Sequence, residues 1–423
     1  MSSERPKLPD STDVVIVGAG IAGISAAWFL NRAGLQVVVC EKGVVAGEQS
    51  GRNWGWIRQQ GRDQAELPIV IESMRLWQEI ADELDTDIGY QREGSLYLCE
   101  NDAELERHER FMSFAPAYGL ATSYVNRKQL ETLMPDCPER WQSGLYTPDD
   151  GRAEPSLAVP AMAKALVERG AHVVENCAVE EILIGNQKVT GVLTEHGEIR
   201  SSSVLCAGGA WSTFLLQGCG IRVPQLTVKA SVVRTAAAPL KFNGNASGSQ
   251  VAFRKRIDGG YTVAASDYLE IFPSANHVKF MKDFLPLIRT SFGKLRLRIP
   301  ELKVDGDFKR QRILNPIPSA ATVARIKERL ADRVPAFKDI ELLQAWSGMI
   351  DALPDVVPVL DRADTVEGLF ISTGFSGHGF GIGPAAGKIM ANLIQNDEVE
   401  YNLNRFRLAR FSDGSKLELG PAI

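Results

Sequence analysis

The sequence predicts an α/β protein, α+β overall, in which a discontinuous domain with a parallel sheet carries a second domain with a mixed antiparallel sheet. Two observations predict it: β-α-β patterns recur at the start, middle and end of the chain, and short strands with polar turns lie between them. The 423 residues also exceed the usual size of one domain. We therefore assign 1–60, 150–225 and 336–423 to the first domain, and 61–149 and 226–335 to the second.

The first β-α-β unit is the clearest. Residues 14–17 are a short apolar run, and a glycine-rich turn leads from it into a helix over 21–33. Gly34 follows that helix, as is usual just past a helix C-terminus, and 36–41 form a second apolar strand. Strand, helix and strand within about 30 residues make the unit from which parallel sheets are built.

Hydrophobic spacing and turn residues predict the other elements. In the helices, apolar residues recur at three- and four-residue steps, whereas the strands are short apolar or alternating runs bounded by turns. The predicted helices span 66–84, 103–118, 127–133, 155–169, 276–292, 322–334 and 384–395. The predicted strands span 95–98, 179–184, 188–194, 203–207 and 369–372, and antiparallel strands are predicted within 226–272.

Charge and composition disfavour several functional classes. The chain has 47 basic and 52 acidic residues, a formal net charge of -5, which argues against a nucleic-acid-binding surface. The six cysteines form no C-x-x-C pair and the histidines have no metal-ligand spacing, so we expect reduced thiols and no metal. The start of the chain has no apolar signal segment, and no run of about 18 apolar residues occurs. We expect a cytoplasmic protein, with peripheral membrane contact left open.

A dinucleotide-binding motif opens the chain. The run Gly18-Ala19-Gly20-Ile21-Ala22-Gly23 matches G-x-G-x-x-G between a strand and a helix, and Glu41 ends the next strand. The glycines permit a tight turn, close approach to a pyrophosphate and close helix packing, and the helix N-terminus attracts the phosphates. Glu41, with Lys42 beside it, is placed to contact the ribose, and an acid there disfavours a 2′-phosphate. A structural glycine turn is the alternative, and the motif alone does not distinguish NAD from FAD.

Three further segments accompany that motif. Ser50-Gly51-Arg52-Asn53 follows it, 204–211 form an apolar strand that ends in A-G-G-A-W, and 373–387 contain G-F-S-G-H-G-F-G-I-G-P. In this order they resemble the signature of the FAD-dependent D-amino acid oxidase superfamily, which includes D-amino acid dehydrogenases, glycine oxidase, sarcosine oxidase and dimethylglycine dehydrogenase. The resemblance spans nearly the whole chain. It implies FAD as the cofactor, a discontinuous Rossmann-like FAD-binding domain and a sheet-based substrate domain.

The resemblance also implies how the flavin is held. In sarcosine oxidase a cysteine joins the flavin covalently, and Gly348 stands at that position here, so we expect non-covalent FAD. Besides the dinucleotide motif, Glu41 and Lys42, the implied cofactor-binding residues are Ser50, Gly51, Arg52, Asn53, Val179, Ala207, Gly208, Trp211, Gly374, Gly377, His378, Gly379, Gly381 and Ile382.

The glycine-rich run near the C-terminus has a physical rationale of its own. Its glycines let backbone N–H groups face a planar ligand, and a helix that begins at Pro384 points its positive end toward the run. A flavin that accepts a hydride gains negative charge, which such donors and the helix dipole stabilise. The alternative is a mobile glycine loop in which His378 caps a neighbouring group.

Arg58 and His378 are the first candidates for the catalytic pocket. Oxidation of a C–N bond requires a neutral amine, exclusion of water and a clamp for any carboxylate, for which a bidentate arginine is suited. Arg58 is similar in position to the arginine that binds the substrate carboxylate in sarcosine oxidase; a surface or ion-pair arginine is the alternative. In glycine oxidase-like members a different arginine does this, and Ile350 occupies its position here.

Aromatic and acidic side chains complete the candidate set. Trp56, with Trp54, could stack near the flavin or fill the core. Asp351 could hold an ammonium group or structure its loop. Tyr261 and Arg312 could reach the pocket from the second domain, with an ordinary scaffold role as the alternative for each.

These patterns predict an FAD-dependent oxidoreductase that oxidises the C–N bond of a D-amino acid, glycine or a sarcosine-like amine by hydride transfer. The imine formed then gives a keto acid or an aldehyde, and the electrons leave to oxygen or another acceptor. Two alternatives stay open: oxidation of a 2-hydroxy acid in the same fold, and a non-catalytic FAD-binding subunit of an oxidoreductase complex. The sequence does not fix the oligomeric state.

Overall fold

The computed structural model describes residues 8–135, 137–291, 295–298 and 311–420. Its strands are β1 (Val14–Val17), β2 (Val37–Cys40), β3 (Trp56–Ile57), β4 (Ser95–Cys99), β5 (Ser123–Asn126), β6 (Ser143–Thr147), β7 (Gly151–Arg152), β8 (His172–Val174), β9 (Val179–Gly185), β10 (Lys188–Thr194), β11 (Gly197–Arg200), β12 (Val204–Cys206), β13 (Leu226–Thr235), β14 (Asn245–Ser247), β15 (Ala252–Lys255), β16 (Tyr261–Ala264), β17 (Leu269–Ile271), β18 (Leu295–Leu297), β19 (Leu342–Ala352), β20 (Val359–Arg362) and β21 (Leu369–Thr373). Its α-helices are α1 (Ile21–Arg32), α2 (Gln49–Arg52), α3 (Leu67–Glu83), α4 (Asp102–Glu106), α5 (Glu109–Met112), α6 (Arg127–Leu133), α7 (Pro155–Glu168), α8 (Ser212–Gly218), α9 (Ala275–Ser291), α10 (Ala320–Arg333) and α11 (Gly379–Gln395).

The first sheet unites strands from the two ends and the middle of the chain. Its order is β20-β21-β12-β1-β2-β8, and all neighbours are parallel except the pair β20–β21. Val14 packs with residues of α1, α7 and α11 on one face, whereas Val15 packs on the other face with residues of the small sheet β9–β11. Because both faces are covered, these strands read as continuous apolar runs.

Helices α1 and α11, from opposite ends of the chain, cross closely on one face of this sheet. A β-carbon at Gly383 would lie 2.4 Å from Ile21 Cγ1, and one at Gly387 would lie 2.4 Å from the carbonyl carbon of Ser25. Only glycine permits an approach this close. The crossing brings the N-terminal ends of both helices to the same cleft.

Within the described residues, the second sheet has ten strands in the order β18-β17-β13-β16-β15-β14-β4-β6-β5, with β19 paired to β13. It is mixed, because β14 runs parallel to β4 and β18 parallel to β17, whereas the other neighbours are antiparallel. β19 falls in the range 336–423 predicted for the first domain, yet it pairs with β13 along its length. The domain boundaries therefore stay a prediction. After β19 the chain leaves the second sheet and returns to the first, where β20 and β21 lie.

Some predicted elements differ from the structure. The single helix predicted over 103–118 is instead α4, α5 and a 3-10 turn at Ala115–Tyr118, since Pro116 has no N–H and Gly119 ends the turn at a φ of 74°. The helix predicted from Pro384 begins at Gly379, where the N–H of Ile382 donates to the carbonyl of His378 at 3.3 Å. The end of the helix predicted over 276–292 lies outside the described residues.

The described residues were also compared with the requirements of a membrane span, a metal site and a disulfide. No helix within them has the length and apolar character that a membrane crossing requires. In the same part of the chain, no group of three or more His, Cys, Asp or Glu side chains is arranged to hold a metal ion. All six cysteines are free, and five of them are buried.

Candidate active site

A deep cleft lies between the carboxyl ends of β1, β2 and β12 and the face of the second sheet. Its empty volume is about 2040 Å³, open mouth included. Open α/β sheets bind their ligands at this edge. The predicted site residues that line the cleft are Gly18, Gly20, Ile21, Ala22, Glu41, Lys42, Ser50, Arg52, Asn53, Trp56, Arg58, Val179, Ala207, Gly208, Trp211, Asp351, Gly377, His378 and Gly379.

The N-terminus of α1 presents free backbone donors to the cleft. The helix begins at Ile21, and its N-cap, Gly20, has no side chain to satisfy them. The N–H groups of Ala22 and Gly23, in the first turn, have no carbonyl within the helix to which they can donate. The N–H of Ile21 donates to Ser50 Oγ at 2.8 Å. Free donors and the positive end of a helix dipole suit a pyrophosphate.

Glu41 and Lys42 flank the same end of the cleft. The two carboxylate oxygens of Glu41 accept hydrogen bonds from the N–H of Ala19 at 2.8 Å and of Gly43 at 2.7 Å, and each oxygen retains a second acceptor site. Burial raises the pKa of Glu41. Lys42 Nζ lies 3.2 Å from the centre of the Trp211 ring, and burial lowers its pKa to about 8. The pair offers an acceptor and a cation to an adenosine.

The other predicted cofactor residues do not line the cleft themselves. At the start of α11, the carbonyl of Gly381 accepts hydrogen bonds from Ser73 Oγ at 2.7 Å and from Trp77 Nε1 at 3.2 Å, which fasten this turn to α3. The predicted cofactor residues outside the lining are Gly23, Gly51, Gly374, Gly381 and Ile382.

Asp351, at the end of β19, fastens the C-terminal glycine loop. Its side chain is 2% exposed, and Oδ2 accepts from the N–H of Gly374 at 3.0 Å and from Gln225 Nε2 at 2.9 Å. Its carbonyl accepts from the N–H of Ser376 at 2.9 Å. Burial raises the pKa of Asp351 to about 6. These contacts favour the loop-structuring role over the binding of an ammonium group.

His378 and Glu66 form a buried pair at the N-terminus of α11. Nδ1 of His378 lies 3.4 Å from each carboxylate oxygen of Glu66. Burial and, next, the charge of Arg62 lower the pKa of His378 to about 4, so the imidazole is neutral near pH 7. Burial opposes ionisation of Glu66, but His378 and Arg62 outweigh it and its pKa is lowered. Because a carboxylate only accepts, Nδ1 carries the proton and Nε2 has the free lone pair.

Arg58 and Arg62 lie in the irregular segment before α3. Arg58 Nη1 donates to the carbonyl of Gln60 at 2.9 Å, and the guanidinium carbon lies 5.5 Å from the ring centres of Trp56 and Tyr97. Arg62 is 6% exposed, and its Nε donates to the carbonyl of Arg58 at 3.4 Å. Burial lowers the pKa of both arginines. The structure thus brings two cations to one end of the cleft.

Asp150 holds this segment in place. Its carboxylate, which is fully buried, accepts from the N–H of Gln59 at 2.7 Å and of Gln60 at 3.3 Å. Burial raises the pKa of Asp150 to about 6. Trp54 and Trp56 wall the same region edge to face, with ring centres 5.7 Å apart. The Asp150 carboxylate thus holds the backbone between the two arginines, and the Trp56 ring lies beside the Arg58 guanidinium.

Tyr261 and Arg312 do not line the cleft. The hydroxyl of Tyr261 is buried and bonded to backbone, at 3.0 Å from the carbonyl of Leu240, and its ring packs in the core of the second sheet. Arg312 forms an ion pair with Glu195. Because their polar atoms already have partners within the fold, these contacts favour the scaffold role that was the alternative for each.

Sequence reasoning did not single out three polar residues that line or support the site. Gln49 Oε1 accepts from the N–H of Asp351 at 3.2 Å, while Arg62 and Glu66 form the cluster around His378. The four-residue spacing between Arg58 and Arg62 was the only signal for Arg62. That spacing places side chains on one face only in a helix, and this segment is irregular.

Comparison with known proteins decides the family. The family model described as DAO, FAD dependent oxidoreductase, matches residues 13–393. The chain belongs to this family of FAD-dependent oxidoreductases. The predictions of the family, of the α/β fold with a second mixed sheet, and of FAD as the cofactor are confirmed.

Individual relatives of this oxidoreductase cover nearly its full length. Sarcosine oxidase subunit beta of an Arthrobacter species is 25% identical over 98% of this chain and 94% of its own. Glycine oxidase of Geobacillus kaustophilus is 25% identical over 94% of this chain and 97% of its own. The solved L-amino acid deaminase of Proteus myxofaciens in complex with anthranilate is 26% identical and superimposes with a TM-score of 0.91, covering 97% of this chain and 96% of its own.

The residues of the oxidoreductase fit FAD along the whole cleft. The uncapped N-terminus of α1 suits the pyrophosphate, Glu41 suits the ribose, and the glycine run at the N-terminus of α11 suits a flavin ring. Gly348 lines the cleft where a covalent attachment would need a thiol, which leaves non-covalent binding as the prediction. FAD, when bound, supplies the acceptor for two electrons and a proton.

Proposed function

We propose that this oxidoreductase oxidises the C–N bond of a small amino acid or N-substituted amino acid, giving an imine that water converts to a keto acid or aldehyde and a free amine. One observation carries the proposal: the FAD-type cleft ends at two arginines, the half-buried Arg58 and the buried Arg62, with aromatic walls and a neutral histidine. The names of relatives that act on sarcosine, glycine and L-amino acids support the same substrate class. The names of the relatives do not favour the 2-hydroxy acid alternative, whereas the non-catalytic alternative has one counterpart, a mouse mitochondrial pyruvate dehydrogenase phosphatase regulatory subunit that is 24% identical over 96% of this chain.

The side chains at this end have separate tasks in the proposal. An arginine binds the substrate carboxylate, since guanidinium donors match its two oxygens. Trp54 and Trp56 exclude water, which strengthens that interaction. His378, whose Nδ1 proton is directed to Glu66, has Nε2 available to accept a hydrogen bond from the substrate amine.

The electron acceptor and the compartment belong to the same proposal. Electrons leave to oxygen or to another acceptor, and parallel assays of oxygen uptake and dye reduction separate the two. The free cysteines favour a reducing compartment, for which we propose the cytoplasm.

Product analysis with matched compounds tests the proposal. The purified oxidoreductase is supplied with the L- and D-forms of an amino acid, its N-methyl derivative and the 2-hydroxy acid of the same skeleton. We expect an amine or ammonia, with a keto acid or aldehyde, from at least one nitrogen compound. Turnover of the hydroxy acid alone, or turnover only after another protein is added, would reject it.

A further inference from the structure

Arg254, on β15 of the second sheet, is a fully buried cation whose donors all have acceptors. Nη1 and Nη2 donate to the two carboxylate oxygens of Glu154 at 2.8 and 3.1 Å. Nη1 also donates to the carbonyl of Lys255 at 3.1 Å, Nη2 to Thr262 Oγ1 at 3.2 Å, and Nε to the carbonyl of Trp54 at 2.5 Å. These five hydrogen bonds use the five N–H groups of a guanidinium.

Glu154, the ion-pair partner of Arg254, directs its carboxylate to the second sheet. It is the N-cap residue of α7, but its side chain makes no hydrogen bond to that helix. Oε1 instead accepts from the N–H of Ile257 at 3.1 Å, and Oε2 lies 3.3 Å from Arg256 Nη2. A buried ion pair adds little net stability, because desolvation of the two charges offsets their attraction. The arrangement is therefore better explained by the group that it positions.

The Trp54 carbonyl belongs to the segment that carries the tryptophan wall of the cleft, Trp54 and Trp56. Both residues line the cleft, and their ring centres lie 5.7 Å apart. The guanidinium carbon of Arg58 lies 5.5 Å from the Trp56 ring centre. Between the two tryptophans, Gly55 has a φ of 78°, and a β-carbon there would lie 2.8 Å from Arg254 Nε. The wall segment thus rests directly on the buried guanidinium.

We propose that Arg254 is a positioning residue, which holds the tryptophan wall in place from the second sheet through its hydrogen bond to the Trp54 carbonyl. Glu154 fixes the guanidinium in turn and ties this contact to α7. The effect on turnover rests on the proposed function, in which the wall excludes water from the substrate. The effect on the position of Trp54 does not depend on turnover.

Arg254→Lys separates the positioning contact from the ion pair. A lysine keeps a positive charge beside Glu154 but lacks the planar fork that reaches the carboxylate and the Trp54 carbonyl together. Arg410→Lys is the matched control. Arg410 is also buried and donates to the two carboxylate oxygens of Asp355 at 2.8 and 3.1 Å, and neither residue of that pair lines the cleft.

Fluorine NMR of the FAD-loaded protein labelled with 5-fluorotryptophan measures the position of Trp54. Its resonance is the one that Trp54→Phe removes. We expect Arg254→Lys to shift and broaden this resonance and Arg410→Lys to leave it unchanged. Gly55→Ala, which keeps Arg254 but forces the segment away from it, should act as Arg254→Lys does and replaces it if that variant does not fold. An unchanged Trp54 resonance, or an equal change in Arg410→Lys, would overturn the proposal.

A double-mutant cycle measures the effect on the reaction. The value of kcat/KM for an amino acid that reduces the flavin is compared among the unsubstituted protein, Arg254→Lys, Trp54→Ala and the double variant. Each single variant should lower kcat/KM by about 10- to 100-fold, as misplaced active-site groups do, and the double variant should lose no more than Trp54→Ala alone. Losses that multiply would show that Arg254 acts independently of Trp54 and would overturn the assignment. If no amino acid reduces the flavin of the unsubstituted protein, the proposed function fails, and the NMR comparison decides the role of Arg254.

Discussion

At the scale of single residues, three buried carboxylates hold the groups that line the cleft in position. Asp351 binds the backbone of the C-terminal glycine loop, and Asp150 binds the backbone of the arginine segment. Glu66 fixes the tautomer of His378. Each carboxylate therefore positions groups that face the cleft, while its own oxygens point to the protein.

The His378 pair predicts a pH dependence of stability. The pKa of His378 in the fold, about 4, lies below the value of about 6.5 for an unfolded chain. As the pH falls, the unfolded state therefore takes up a proton on His378 before the folded state does. The contribution of His378 to the stability of the fold is complete above about pH 6.5 and is lost as the pH falls toward 4. We expect the unfolding free energy of the unsubstituted protein, relative to His378→Asn, to fall by about 3 kcal/mol between pH 7 and pH 4.

Urea titrations of the FAD-loaded proteins at several pH values measure this difference. The raised pKa values of Asp150 and Asp351 act in the opposite direction, but they do so in both proteins and cancel to first order. A difference that is constant across the range would mean that His378 titrates as an exposed histidine does.

Removal of the Asp351 carboxylate tests its loop-structuring role. Asp351→Ala leaves the N–H of Gly374 without its acceptor and removes one of the three acceptors of Gln225 Nε2, so we expect a loss of about 1–3 kcal/mol in stability and weaker FAD retention. Thermal unfolding and flavin content after gel filtration measure both. Asp397→Ala, at an exposed position beyond the end of α11, is the control and should change neither. Full flavin retention by Asp351→Ala would contradict the assigned role.

At the scale of elements, the crossing of α1 and α11 sets the geometry of the cofactor cleft. The glycines of α11 let it approach α1 so closely that both N-termini reach the same cleft. The sequence predicted each helix and its glycine loop, since the apolar spacing and turn residues are local signals. It did not predict that α11 begins at Gly379, because proline at a first helical position was the stronger local preference.

Adding a side chain where these helices cross should lower the stability of the fold. A β-carbon in Gly387→Ala would lie 2.4 Å from backbone of α1, so the helices must separate, and we expect a loss of about 1–3 kcal/mol together with weaker FAD binding. Denaturant midpoints and FAD dissociation constants measure the effect. Gly218→Ala, where a β-carbon would meet nothing within 4 Å, should be nearly neutral. Equal behaviour of the two variants would show that the crossing tolerates a side chain.

At the scale of the whole molecule, the two ends of the chain build one site. The first β-α-β unit supplies the phosphate end, the C-terminal loop supplies the flavin end, and the second sheet closes the cleft. Sequence motifs predicted this convergence, because the glycine runs have a fixed order in the family. They could not predict that β19 joins the second sheet or that Arg62 and Glu66 meet His378, since these contacts depend on long-range pairing and on an irregular segment.

The most direct test of the account is anaerobic mixing of the yellow, FAD-loaded protein with amino acids while the flavin absorbance near its visible maximum is followed. The account predicts that at least one amino acid or N-methyl amino acid bleaches the flavin rapidly, with a rate that saturates in substrate, and that the corresponding amide does so poorly. A protein that binds no FAD, or a flavin that stays oxidised with every amine and amino acid, would contradict it.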